Sequence, residues 1–218
     1  MLSSLVRHTT TRFASTLSVS TIGATMEIKL PTTPCVSVGD ALPTATLYEG
    51  GGSYVDDPTP VDLAALCKGR KVVIFAVPGA FTPGCSKAHL PSFVAAAADL
   101  AAAGVDEVVC TATNDAHVMK AWGVDLGAEA VGIRMLADKD AELACALGQA
   151  KVSGAIVRSL RYAMVVEDGT VSAFLPVGAD GDKSATHAPA VLQVVLGAAG
   201  AGAAAEGAAG VKRKAEDA

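Results

Sequence analysis

The stretch from Lys71 to Phe93, KVVIFAVPGAFTPGCSKAHLPSF, constrains the fold of this chain more than any other part of it. Its apolar run, Val72 to Val77, is short and rich in β-branched residues and ends at a Pro-Gly pair that begins with Pro78, which is typical of a buried strand. Thr82 follows the turn as a favoured helix N-cap, and Pro83 suits the first helical position because the N–H it lacks is not needed there. The sequence therefore predicts a strand, a tight turn and the start of a helix.

The helix start places Cys85 in the first helical turn, where unpaired N–H groups and the helix dipole stabilise an anion. A free cysteine with a pKa of about 8.5 is only about a tenth ionised near pH 7.5, whereas one with a pKa of about 6 is almost wholly thiolate. Cys85 is therefore a candidate nucleophile. The alternative is a buried structural thiol, since cysteine is among the most buried residue types.

The segment FAVPGAFTPGCSKAHLPSF resembles the active-site segment of the peroxiredoxins, specifically of their type II (atypical 2-Cys) branch. The family pattern of Pro, three residues, Thr or Ser, two residues and Cys falls on Pro78, Thr82 and Cys85. Four flanking residues also match the type II arrangement: Phe81, Lys87, His89 and Pro91. The resemblance extends over roughly Val36 to Gly197, with a stretch from Val36 to Gly50 that looks like the hairpin opening a peroxiredoxin domain.

Strands alternate with helices along the rest of the chain. Strands are predicted over Glu107–Thr113, Ile133–Ala137, Tyr162–Glu167 and Thr170–Leu175. Helices are predicted over Asp62–Leu66, Phe93–Ala103, Asn114–Gly127, Asp140–Leu147 and Pro189–Leu196. The Asp168-Gly169 pair indicates a hairpin, and Pro91 predicts a kink or break near Lys87 to Leu90. The pattern predicts an α/β fold with a central mixed sheet flanked by helices, consistent with the thioredoxin-like fold that the resemblance implies.

The resemblance implies a thiol-dependent peroxidase that reduces hydrogen peroxide and alkyl hydroperoxides through a sulfenic acid on Cys85. Thr82 and a downstream arginine would supply hydrogen bonds, and Pro78 would shield the sulfur from water. The family places that arginine just before an aromatic residue that opens a strand, and SLRYAMVVEDG puts Arg161 there. Arg158, three residues earlier, is its nearest competitor, and a surface arginine at a strand edge is the alternative.

Four other cysteines are available to resolve the sulfenic acid. Cys110 lies 25 residues after Cys85 and matches the resolving cysteine of plant-like type II peroxiredoxins, although a cysteine on a buried strand is equally typical of an inert core residue. The animal branch has its resolving cysteine after the hairpin, and the corresponding region, 180–189, contains none. The remaining three match no functional position: Cys35, Cys67 and Cys145.

Other functions are disfavoured by the sequence. His89 lies four residues after Cys85, on the same helical face, which is compatible with a Cys-His hydrolase. No acyl-transfer motif accompanies the pair, so the sequence disfavours that hypothesis. We expect no cofactor and no metal, because this pair lacks two further clustered ligands. A net charge of −5 without a basic groove argues against nucleic acid as a main partner, and no apolar run of about 18 residues predicts a membrane span.

The two ends differ from the middle in composition. Residues 1–25 contain Arg7 and Arg12, many hydroxyl residues and no acid, which is typical of an organellar transit peptide. Arg12-Phe13-Ala14-Ser15 resembles a mitochondrial processing site, so mitochondrion is favoured and chloroplast is second, while Met26 as a second start would give a cytosolic form. We predict a peroxiredoxin domain over 26–197 and a low-complexity disordered tail over 198–218.

Partners follow from the resemblance. It implies recycling by glutaredoxin with glutathione or by thioredoxin, and a homodimer. The alternative function is a non-enzymatic redox adaptor that passes peroxide oxidation to partner proteins. The two differ in turnover, because an adaptor would oxidise once and stall without its partner.

Overall fold

A seven-stranded mixed sheet forms the centre of the structure, a computed structural model that describes residues 13–21, 24–31, 36–53 and 55–197. The strands are β1 (Phe13–Thr21), β2 (Ala24–Pro31), β3 (Thr46–Glu49), β4 (Thr59–Asp62), β5 (Lys71–Ala76), β6 (Glu107–Ala112), β7 (Ile133–Ala137), β8 (Ala150–Ser153), β9 (Ile156–Ser159), β10 (Tyr162–Glu167) and β11 (Thr170–Pro176). The α-helices are α1 (Leu63–Cys67), α2 (Leu90–Ala102), α3 (Ala116–Asp125), α4 (Glu142–Ala146) and α5 (188–197). A π-helical turn spans Cys85–His89, and 3₁₀ turns span Glu129–Val131 and Ser184–Thr186.

The central sheet has the order β11-β10-β5-β6-β7-β3-β4. β5, β6 and β7 run parallel, whereas β10 pairs antiparallel with β5 and β11 antiparallel with β10. Residues 72–76 of β5 are all buried, as expected for a central strand covered on both faces. The predicted mixed sheet is confirmed.

The sheet separates two layers of apolar packing. On one face, α2, α3 and α5 pack against Val73 and Phe75 of β5, and this layer includes Cys85 and Cys110. On the other face, α1 and α4 pack against alternate residues of the same strand, among them Ile74. Helices thus flank the sheet on both sides, which is the predicted arrangement.

Local signals located most elements. Asp62 caps α1, because its carboxylate accepts hydrogen bonds from the N–H groups of Ala64 and Ala65. Asp168 and Gly169 form the predicted hairpin turn, both with positive φ, at 47° and 74°. α2 begins earlier than predicted, at Leu90, and ends before Gly104 as expected.

Three strand pairings were not predicted. β4 pairs with β3 at the sheet edge, and β8 pairs with β9 in a separate hairpin just before Arg161. β1 and β2 form a further antiparallel hairpin apart from the central sheet. Residues 1–12 of the predicted transit peptide and the whole predicted tail lie outside the described residues. None of the helices that the structure describes is long and apolar enough to cross a membrane.

Candidate active site

Cys85 lies at the start of the π-helical turn that follows β5. The helix begins at Pro83, and the N–H of Leu90 donates to the carbonyl of Cys85, five residues back. Pro91 has no N–H to offer the carbonyl of Lys87, so the predicted break is confirmed in the form of a wider turn. Cys85 is only 1% exposed, which places its thiol at the edge of the apolar layer rather than on the open surface.

Thr82 occupies the predicted N-cap position but does not make the predicted side-chain cap. Its carbonyl accepts from the N–H of Ser86 at 2.9 Å, while its hydroxyl donates to the carbonyl of Gly79 at 2.8 Å. The Thr82 hydroxyl therefore donates its proton within the turn before the helix and not to a helical acceptor. Its oxygen lone pairs remain free to accept a hydrogen bond.

The turn between β5 and the helix is held from outside by two residues. Asn114, just after β6, accepts from the N–H of Ala80 at 2.9 Å. Arg158 of β9 donates from Nη1 to the carbonyl of Pro78, also at 2.9 Å. A Cβ on Gly79 would lie 2.5 Å from that Nη1, so a larger residue at this position would displace the Arg158 guanidinium. The sequence analysis considered Arg158 only as a competitor of Arg161 and Asn114 only as the start of a helix, so neither contact with the turn was predicted.

Arg161 reaches the Cys85 thiol across the sheet. The pairing of Tyr162 with Ala76 sets the start of β10 beside the end of β5, so the preceding arginine lies next to the active-site turn. Arg161 Nη2 donates to Cys85 Sγ at 3.2 Å. The side chain is 8% exposed, and its Nη1 is buried with no hydrogen-bond partner among the described residues. The guanidinium that contacts the Cys85 sulfur thus carries a second, buried nitrogen that has no partner among the described residues.

His89 is placed as a core residue. Its Nε2 lies 2.7 Å from the carbonyl of Thr186, which can only accept, so Nε2 carries the proton and Nδ1 is a bare acceptor. Burial lowers the pKa of His89 to about 3, so the ring is neutral near pH 7. No hydrogen bond joins His89 to Cys85 in the part of the chain that the structure describes. The arrangement gives no Cys-His ion pair.

Cys110 faces the same apolar layer as Cys85 from the middle of the sheet. Its strand, β6, is paired with β5 on one side and β7 on the other. Burial raises the pKa of the Cys110 thiol well above its usual range, and a charge on Cys85 raises it further. The Cys110 thiol is therefore near Cys85 but poorly ionised and held in a rigid strand.

The other cysteines lie apart from this site. Cys67 belongs to the layer on the opposite face of the sheet, where burial raises the pKa of its thiol to about 11. Cys145 lies on α4, and Cys35 lies outside the described residues. No group of three or more potential metal ligands of the His, Cys, Asp or Glu type occurs within the described ranges.

Trp122 ties α3 to the Cys85 turn. Its indole Nε1 donates to the hydroxyl of Ser86 at 3.0 Å, and the ring is fully buried. Trp122 is the only tryptophan of the chain and lies 36 residues after Ser86, so no local pattern predicts a contact between them. This contact was not predicted.

A family model and two relatives with known names match this chain. A family model described as Redoxin matches residues 37–188. Peroxiredoxin-2E-2, chloroplastic, of Oryza sativa is 46% identical over 145 residues, which cover 62% of each chain. Peroxiredoxin-2E, chloroplastic, of Arabidopsis thaliana is 40% identical over 174 residues, 76% of this chain and 68% of the relative. The chain thus spans slightly less than two thirds of the rice relative.

A solved structure also matches this chain. Reduced Prx3 of Vibrio vulnificus in complex with hydrogen peroxide superposes with a TM-score of 0.68 at 40% identity. The match covers 73% of this chain and 99% of that one.

Proposed function

This chain belongs to the peroxiredoxins of the Redoxin family, and from that premise we propose that it is a thiol peroxidase with Cys85 as the attacking thiolate. The observation that carries the proposal is the position of Arg161. One of its terminal nitrogens donates to Cys85 Sγ at 3.2 Å, and the other is buried without a partner. An unpaired buried donor is costly, and a peroxide oxygen is an acceptor of the right size to pair with it.

The reaction transfers one oxygen atom to sulfur. The Cys85 thiolate attacks the terminal oxygen of a hydroperoxide ROOH, so an S–O bond forms while the O–O bond breaks. Sulfur is oxidised by two electrons to the sulfenic acid, and RO⁻ leaves and takes up a proton to give ROH. Arg161 stabilises both the thiolate and the negative charge that develops on the leaving oxygen.

Thr82 and Pro78 position the peroxide in this proposal. With its own proton on the carbonyl of Gly79, the Thr82 hydroxyl oxygen is free to accept the O–H of a hydroperoxide. Pro78, whose carbonyl is fixed by Arg158, covers the approach to the sulfur and limits the access of water. The hydrogen-bonded turn keeps both residues in place before substrate arrives.

In this proposal the Cys110 thiol attacks the sulfenic sulfur of Cys85, so an S–S bond forms while the S–O bond breaks and the oxygen leaves as water. Support comes from the shared apolar layer and from the charge coupling between the two thiols. A disulfide requires the two Cα atoms within about 7 Å, and in this proposal unwinding of the first helical turn brings Cys85 to the strand of Cys110, which is paired on both sides. Thioredoxin then reduces the disulfide. In the alternative, the glutathione thiol condenses with the Cys85 sulfenic acid and water leaves, and glutaredoxin then reduces the mixed disulfide.

We propose that the chain acts in a plastid after removal of residues 1–25. The names of the rice and Arabidopsis relatives, both chloroplastic, favour this location over the mitochondrion that the processing-site resemblance suggested. Fusion of residues 1–25 to a fluorescent protein tests it by microscopy. Fluorescence in mitochondria alone would restore the first expectation.

Peroxide consumption tests the enzymatic proposal. The parent protein should consume hydrogen peroxide over many turnovers with either the thioredoxin or the glutaredoxin and glutathione system. Cys85→Ser should lose essentially all activity, whereas Cys145→Ser, on α4, should keep it. A single stoichiometric oxidation with both reductant systems present would instead favour the redox adaptor.

A further inference from the structure

The helix that follows Cys85 is held at two points by the segment just before α5. His89, the last residue of the π-helical turn, donates from Nε2 to the carbonyl of Thr186 at 2.7 Å, and both residues are fully buried. Ser92 of α2 donates from Oγ to the carbonyl of His89 at 2.7 Å and accepts from the N–H of Ala188 at 3.2 Å. We call this contact, formed by His89, Ser92, Thr186 and Ala188, the helix anchor.

The His89 ring is enclosed by other aromatic rings. Phe75 of β5 and Phe93 of α2 both lie edge-on to it, with ring centroids 5.2 and 5.6 Å away. His187 also lies edge-on to it, at 5.0 Å. Withdrawal of the imidazole would leave the buried carbonyl of Thr186 without its donor, which is costly. Movement of His89 away from the anchor is therefore disfavoured.

The π-helical turn links this anchor to the reactive cysteine. The turn spans Cys85–His89, and the carbonyl of Cys85 accepts from the N–H of Leu90. Cys85 therefore cannot unwind from the helix without freeing the backbone next to His89. Because the anchor holds that backbone in place, its hydrogen bonds add to the free energy that opening of the turn requires.

The rest of the turn has weaker restraints. Lys87 and Ala88, in its middle, are exposed, so little packing keeps this part closed. At the other end, Arg161 donates to the Cys85 sulfur at 3.2 Å, and oxidation consumes the thiolate that pairs with this charge. The anchor does not involve the sulfur. It therefore restrains the turn in the oxidised state as it does in the reduced one.

We propose that His89 and Ser92 are positioning residues, and that the helix anchor sets how often the Cys85 turn opens. Opening presents the oxidised Cys85 to the thiol that resolves it, so this inference rests on the peroxidase function proposed above. A weaker anchor gives a turn that is open more often. The closed turn, in which Cys85 reacts with peroxide, keeps its geometry.

Labelling of the reduced full chain with fluorescein maleimide tests the anchor without peroxide. Attack by this bulky reagent on a sulfur that is 1% exposed requires the turn to open, so the labelling rate of Cys85, followed by peptide mass spectrometry, reports the open fraction. His89→Leu and Ser92→Ala should each raise this rate about three- to tenfold, because each removes a buried hydrogen bond. His89→Gln, whose side-chain amide can still donate to Thr186, should restore most of the protection.

Two controls separate local opening from loss of stability. Ser172→Ala removes a hydrogen bond of the same kind, from Oγ to the carbonyl of Val165 in the β10–β11 hairpin, and should leave the Cys85 labelling rate unchanged. Cys67, fully buried in the opposite layer, should be labelled far more slowly than Cys85 in every variant. The rate of Cys85 oxidation by hydrogen peroxide, from rapid mixing, should stay within about twofold of the parent, because the closed turn remains the main form.

Three outcomes overturn the role of the anchor: an unchanged Cys85 labelling rate in both His89→Leu and Ser92→Ala, an equal rise in Ser172→Ala, or labelling of Cys67 as fast as that of Cys85. A parent whose Cys85 is not oxidised by peroxide refutes the peroxidase function itself. The labelling rates, measured without peroxide, decide the anchor independently of that result.

Discussion

At the scale of single residues, Arg161 is the side chain whose removal should cost most after Cys85. Arg161→Ala removes a charge-assisted hydrogen bond to the sulfur worth roughly 1.5–3 kcal/mol, about ten- to a hundredfold in rate. Arg161→Lys keeps the charge but not the planar guanidinium with its two terminal nitrogens. Its rate of Cys85 oxidation should therefore lie between those of the parent and Arg161→Ala. Rapid-mixing measurement of Cys85 oxidation checks this, with Arg70→Ala, a half-exposed arginine paired with Glu107, as the control. Equal rates in Arg161→Ala and Arg70→Ala would refute the role.

His89 should make the fold sensitive to acid. Its imidazole takes up a proton near pH 6.5 in the unfolded chain but, because burial lowers the pKa, only near pH 3 in the folded one. The unfolded state binds more protons between these values, so the free energy of unfolding falls as the pH drops through that window. Asp138, whose pKa burial raises to about 6, has the opposite effect above about pH 4.

Urea unfolding of parent and His89→Leu at pH 7, 5 and 4 separates the two effects. Below pH 6.5, the free energy of unfolding of the parent should fall by up to about 1.4 kcal/mol per pH unit more than that of His89→Leu. This difference in slope does not depend on how the two proteins differ in stability at pH 7. The comparison with Asp138→Asn should show the reverse sign. Parallel pH profiles for parent and His89→Leu would mean that this imidazole titrates normally.

At the scale of elements, the pairing of β6 on both sides bears on the proposed resolution of the sulfenic acid by Cys110. Cys110 cannot leave its paired strand cheaply, so the Cys85 turn has to move. Stoichiometric peroxide should then give a Cys85–Cys110 disulfide, seen as a linked peptide by mass spectrometry, and Cys110→Ser should slow turnover with thioredoxin. Cys67→Ser, in the opposite layer, is the matched control. Glutathionylated Cys85 without an internal link, when both can form, would establish a one-cysteine cycle instead.

Elements fixed by neighbouring residues were the predictable ones. β5, the Asp62 cap and the Asp168-Gly169 turn each follow from a few adjacent side chains. The β8–β9 hairpin was missed because both strands are four residues long, although Gly154 in its turn has a positive φ of 64°. Short strands offer too few residues for a periodicity to appear.

The contacts that complete the site depend on the order of the strands. Arg161 was found only through the family resemblance, because its approach to Cys85 requires β10 to lie beside β5. The contacts of Arg158 with Pro78 and of Trp122 with Ser86 join segments that are 80 and 36 residues apart. No local pattern specifies such pairs.

At the scale of the whole molecule, we expect a homodimer with Phe81 in its interface. Phe81 is 57% exposed, has a φ of 55° and lies in the turn that precedes Cys85. Ile156, on the hairpin that carries Arg158, is also half-exposed. Large apolar side chains exposed near a functional site are typical of an interface.

Phe81→Asn removes the ring and tolerates the left-handed backbone, so it should shift the protein from dimer to monomer. Size-exclusion chromatography with light scattering measures the change at micromolar concentration. Val38→Asn, at a position 64% exposed, is the control and should stay dimeric. A monomeric parent, or a dimeric Phe81→Asn, would contradict the expectation.

Because of the hydrogen bond from Trp122 to Ser86, the tryptophan fluorescence should report changes at the Cys85 turn. The protein has one tryptophan, and its indole N–H is bound to the residue next to the reactive cysteine. Unwinding of the Cys85 turn breaks that bond and alters the polarity around the indole. Intrinsic fluorescence should therefore change in intensity or wavelength when peroxide is added and return when a thiol is supplied, and Cys85→Ser should show neither change. Any step that moves the Cys85 turn should then be measurable in real time without a label.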